Sequence, residues 1–144
     1  MIKLRTFYIF KINKSLSPIY EQKSTSIFKL LNKINEMDDS EYDLAKRIYN
    51  KITLSINKSL LDNYILMNHM NDIYYKKTNN IHTLSSAYEE SKLTIFNTFL
   101  KIETTNNISS FFKDLFEINN NLFCIDFENK DYFYLDEFRV KLLV

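Results

Sequence analysis

The sequence predicts a single α/β domain of the α+β type over residues 1–144, with a small mixed sheet of about four to five strands and helices packed on it. Three patterns predict it. Residues 4–12 alternate in the two-residue period of a strand. Residues 27–65 carry apolar stripes at helical spacing. The last quarter, Phe111 to Leu135, reads as an aromatic-faced helix, an Asn-rich break and two short strands.

In the first strand, Leu4, Thr6, Tyr8, Phe10 and Ile12 share one side and Arg5, Phe7, Ile9 and Lys11 the other. Apolar residues on both sides make it an inner strand. Ser15 to Tyr20 follows, with the chain's one proline, Pro18, where it can start a helical turn. Ser24 suits the cap of a helix with the stripe Ile27, Leu30, Leu31, Ile34 and Met37. Asp38-Asp39-Ser40 breaks that helix, and Ser40 with Asp43 resembles a capping box for the next stripe, Leu44, Ile48, Tyr49 and Ile52. The two form a helical hairpin. A third helix starts near Ser59, with Leu60, Leu61, Tyr64 and Ile65. Residues 68–90 show no clear period beyond an exposed loop at Lys76 to Asn80, and read as helix or coil. Leu93 to Glu103 reads as one strand with a bulge near Asn97-Thr98. After the Phe111–Ile118 helix, Leu122–Phe127 and Tyr132–Leu135 form a hairpin across Glu128-Asn129-Lys130-Asp131.

Composition excludes several function classes. The chain has no glycine, so it carries no Rossmann fingerprint, Walker loop or Gly-x-Ser-x-Gly elbow. Asn can take left-handed turn positions instead. A formal charge of +1, with the signs interspersed, leaves no concentrated basic face for nucleic acid. The single Cys124 allows no internal disulfide and fits a reducing interior. The apolar stretch after Arg5 stops at Lys11, too short for a signal peptide, and the expected location is the cytoplasm.

Few residues suggest chemistry, and each has a plainer explanation. Met67-x-His69-Met70 contains soft-metal ligand types, but ordinary packing of the methionines beside a surface histidine explains it better. No zinc spacing occurs, and no metal or cofactor is expected. Cys124 falls in a buried strand and reads as a small core residue. Asp126-x-Glu128-x-Lys130, with Asp114 upstream, fits a minor alternative: a metal-dependent nuclease using an acid-x-Lys motif. Charged residues in a turn are normally just solvated. The 22 Tyr and Phe residues follow strand and helix periods, so core packing accounts for most. Leu16, Ile19 and Tyr20 are the exception. They either cover the sheet edge or form a compact anchor for a partner's groove. A structural subunit of a larger assembly is a third reading.

Three stretches carry a family resemblance. Phe7-Tyr8-Ile9-Phe10-Lys11 leads to Tyr20 and to Ile27-Phe28-Lys29-Leu30-Leu31; Ser109 to Leu115 carries the Phe-Phe pair; Leu122 to Phe127 and Tyr132 to Leu135 close the chain. Their order resembles the sporulation inhibitor of replication family (SirA) of spore-forming Bacillota. Phe133-Tyr134 stands where that family has Gly-Trp, and Glu21-Gln22-Lys23 where it has Phe-Gly-Arg. The resemblance implies a protein without enzymatic activity that binds the N-terminal domain of the replication initiator DnaA and blocks initiation as sporulation begins. It implies no direct contact with nucleic acid or membrane. It also implies a contact made by Tyr20 at the second position of an aromatic pair, Leu16 at the first, and Arg47 and Lys51 on a nearby helix.

Overall fold

The computed structural model describes residues 4–13, 24–118 and 121–138. Strand β1 (Arg5–Ile12) precedes helices α1 (Ser24–Glu36) and α2 (Tyr42–Ile52), the short β2 (Thr53–Leu54) and α3 (Lys58–His69). Strands β3 (Tyr75–Thr78), β4 (Ile81–Ser85), β5 (Glu90–Ile95) and β6 (Leu100–Thr104) follow, then α4 (Phe111–Ile118), β7 (Leu122–Asp126) and β8 (Asp131–Tyr134).

Among the described residues the sheet has eight strands, in the order β3-β4-β5-β6-β1-β7-β8, with β2 pairing beside β6 at the far end of β1. Every pairing is antiparallel. The expected mixed sheet of four to five strands is therefore too small and of the wrong kind. Besides the unexpected two-residue β2 (Thr53–Leu54), two segments account for this. Residues 75–85, expected to be an exposed loop at Lys76–Asn80 flanked by helix or coil, are the hairpin β3–β4. Its strands are short and carry Lys76, Lys77, His82 and Thr83, so the apolar period is masked. Leu93 to Glu103, read as one bulged strand, is the hairpin β5–β6, closed by Phe96 N–H donating to the Phe99 carbonyl at 3.0 Å.

Alternation in β1 sorts two cores. Phe7 and Ile9 face a layer made by Leu61 and Ile65 of α3 and by Phe111, Phe112 and Leu115 of α4. Phe10 and Ile12 face Ile27 and Leu31 of α1 and Ile52 of α2. Strand β7 repeats the division, with Leu122 and Cys124 on the α3–α4 side and Phe123 and Ile125 on the other. Helices thus cover both faces at β1 and β7, which is why the middles of these strands, Phe7 to Phe10 and Leu122 to Ile125, carry apolar or aromatic residues on both sides.

Local chemistry sets the joints. Asp38, rather than Ser40, caps the turn before α2: its carboxylate accepts from Ser40 N–H at 3.1 Å. Asn57 caps α3 by accepting from Leu60 N–H at 3.2 Å. Glu89 accepts from Ser110 N–H at 3.0 Å and Ser109 Oγ at 3.2 Å, at the start of α4. Without glycine, left-handed turn positions fall to Asn79 (φ 54°) and Lys130 (φ 52°).

Candidate partner-docking surface

Helix α2 is anchored by one face. Ile52 is buried in the second core, and the Tyr49 ring meets Phe10 edge-on at 6.0 Å. The Tyr49 hydroxyl donates to the Thr98 carbonyl at 2.6 Å, and burial pushes its pKa up. Asp43 in the first turn and Lys51 in the last complement the helix dipole. The opposite face is open. Leu44 is 45% exposed, and Arg47 and Lys51, one turn apart, are exposed without an ion pair to any other described residue.

The end of β1 is tied to this helix. Asn13 N–H donates to the Ile52 carbonyl at 2.8 Å, and the Asn13 amide nitrogen lies 3.5 Å from the Lys51 carbonyl. Leu16, Ile19 and Tyr20, the other predicted contact residues, lie outside the described residues. Asn13, the last described residue before them in the sequence, lies beside the last turn of α2. On the same side of the sheet, a groove of about 290 Å³ opens between α1, α2 and the sheet, lined by Tyr8, Leu31, Ile34, Tyr49 and Phe99. Aromatic rings at such an opening supply large contact area at low entropy cost.

The acid-x-Lys residues are not brought to one centre. Asp126 accepts from Arg5 Nε at 2.7 Å, from Asn129 Nδ2 at 2.7 Å and from Asn129 N–H at 3.1 Å. Burial opposes its ionised form, but the bonds from Asn129 and Arg5 outweigh that and hold its pKa low. Asp114 belongs to a different network, accepting from Asn68 at 2.9 Å and standing 2.7 Å from His69 Nε2. Glu128 and Lys130 lie in the turn between β7 and β8. Among the described residues, no group of three or more His, Cys, Asp or Glu side chains could hold a metal ion. Met67 and Met70, beside His69, are 66% and 59% exposed. Cys124 is fully buried, and burial pushes its thiol pKa well up.

A polar cluster went unread in the sequence. His82, fully buried on β4, places Nε2 2.8 Å from Asp62 of α3 and Nδ1 2.6 Å from the Tyr75 hydroxyl. A carboxylate only accepts, so Nε2 carries the proton and Nδ1 accepts from Tyr75. The Tyr75 ring stacks between His69 at 5.2 Å and His82 at 5.9 Å. Burial, with the Asp62 and Asp114 charges, pushes the tyrosine pKa up to about 12. Every member of this chain of contacts is satisfied, which marks it as the fastening of α3 to the sheet. Only the buried spacing of His82 and Leu84 signalled it.

Fold and surface together define a small antiparallel α+β protein with an open apolar and basic helix face. No helix among the described residues is long and apolar enough to cross a membrane. The profile of the family described as sporulation inhibitor of replication protein SirA matches residues 5–139, nearly the whole chain. The protein belongs to that family, whose members are regulatory inhibitors of replication in sporulation. No curated protein matches the chain.

Proposed function

We propose that this protein binds the N-terminal domain of the initiator DnaA in the cytoplasm and inhibits replication initiation by occlusion. A protein seated on that domain prevents its productive assembly at the origin, with no reaction and no cofactor. The contact is made by Leu16, Ile19 and Tyr20 together with Arg47 and Lys51. One observation carries this reading: the open Arg47–Lys51 face of α2 ends where Asn13 is bonded to Ile52, the point from which the chain runs toward Leu16. Apolar and aromatic anchors beside solvent-facing charges have the make-up of a protein interface, with the charges steering the encounter. The near-neutral net charge argues against direct action on nucleic acid.

Calorimetric titration of the purified chain with the isolated N-terminal domain of DnaA tests this. Affinity of roughly micromolar or tighter is expected, and Tyr20→Ala weakens it while leaving the circular dichroism spectrum unchanged. No heat of binding at high protein concentration sinks the reading.

A further inference from the structure

The α3–α4 side of β1 carries a cation at each end, and the two are treated differently. Arg5 meets Asp126 at 2.7 Å and also pairs with Asp131. Lys11 forms no ion pair with any other described residue. Register sets Leu54 and Leu122 on either side of Lys11, on the same face of the sheet. There a cleft of about 280 Å³ opens between α3 and α4, lined by Lys11, Leu61, Tyr64, Leu100, Leu115 and Leu122. Leu60 and Ile118 also line it and remain 63% and 41% exposed. The Asn57 cap places the start of α3, with its partial positive charge, at the same opening.

We propose that this cleft binds an apolar-chain carboxylate, a medium-chain fatty acid, with its carboxylate on Lys11 Nζ and its chain between α3 and α4. The choice follows from charge and wall chemistry. A neutral apolar ligand would bury the ammonium without a partner. An apolar cation would be repelled by Lys11. A polyanion would bring charge that leucine walls cannot solvate. A single anionic head on a hydrocarbon chain satisfies both parts, and a mostly apolar cavity with one orienting charge is the usual build of a small-molecule site. The cleft lies on the opposite side of the sheet from α2, so this inference is independent of the initiator contact.

Titration of the full chain with sodium decanoate, below its micelle concentration and followed by two-dimensional amide NMR, tests the proposal. Saturable shifts grouped at Lys11, Leu61, Leu115 and Leu122 are expected. Lys11→Met, which keeps the apolar stem, weakens decanoate binding by about tenfold or more, while n-decanol, which has no charge to pair, binds no less tightly than before. Leu60→Glu, at a site exposed enough to leave the fold intact, also weakens decanoate. Shifts that never saturate or scatter over the molecule overturn the proposal. So does decyltrimethylammonium binding as tightly as decanoate, or unchanged decanoate binding by Lys11→Met.

Discussion

Asn13 and Ile52 are joined by a 2.8 Å hydrogen bond from the Asn13 amide to the Ile52 carbonyl. The bond couples the end of the central strand to the end of α2, whose exposed face carries Arg47 and Lys51. A displacement of α2 would therefore move the point where the chain departs for Leu16 and Tyr20.

Charge reversal on α2 separates binding from stability. Arg47→Glu combined with Lys51→Glu should lower affinity for the initiator domain about tenfold, chiefly through slower association, with the effect shrinking as salt rises. Both side chains are solvent-facing, so the loss of stability should stay within about 1 kcal/mol, most of it from Lys51 at the negative end of the helix dipole. Stopped-flow association at two salt concentrations, beside urea unfolding, checks both parts.

The aromatic cluster should dominate stability. Phe112 sits edge-on to Phe7 at 5.2 Å and to Phe133 at 6.0 Å, joining α4 to β1 and β8. Phe112→Ala should cost about 3–5 kcal/mol by leaving a cavity among fully buried rings. Urea unfolding should show a lower midpoint with an unchanged slope. A loss under about 1 kcal/mol contradicts the packing role.

His82 makes stability pH-dependent. Burial holds its pKa below the ordinary value, opposed by the bond and charge of Asp62, with Lys77 and His69 lowering it further. With the folded pKa below the unfolded one, the unfolded chain binds the proton first. The contribution is complete above the unfolded value of about 6.5, declines as pH falls below it, and levels off below the folded pKa. Unfolding free energies measured from mildly alkaline to mildly acidic pH should fall through this window. His82→Gln should flatten that part of the curve, and an unchanged slope counts against the assignment.

Cys124 should be chemically silent in the native protein. Burial removes access and suppresses the thiolate, the species that reacts. Ellman's reagent should label it at the rate of opening of the β1–β7 core and rapidly in denaturant. Fast labelling of the folded chain contradicts this burial.

Legibility followed the range of the interactions. β1 was readable because Phe7, Ile9, Phe10 and Ile12 state its period and its two-sided burial within eight residues. The closing helix and hairpin were readable for the same reason, to within a residue at the turn, where β7 ends at Asp126 and β8 begins at Asp131. β3 and β4 were not, because half-buried Tyr75 and fully buried His82 are polar groups that bond each other, with Asp62 completing the chain, and no hydrophobic scale registers that. Of the expected contact residues, Arg47 and Lys51 came from the family resemblance and not from the helix pattern, and the closeness of Asn13 to the Lys51 carbonyl had no local signal.

The sequence by itself determined the class, the helices, the central strand, the closing hairpin and the family pattern, because period and capping depend on residues a few positions apart. Only the tertiary structure decided that eight strands pair antiparallel, that Asp114 and Asp126 serve separate networks, and that Lys11 overlooks an apolar cleft. Such pairings join residues as distant in the chain as Arg5 and Asp126, 121 positions apart. Their free energy comes from burial and charge that exist only once the layers have closed.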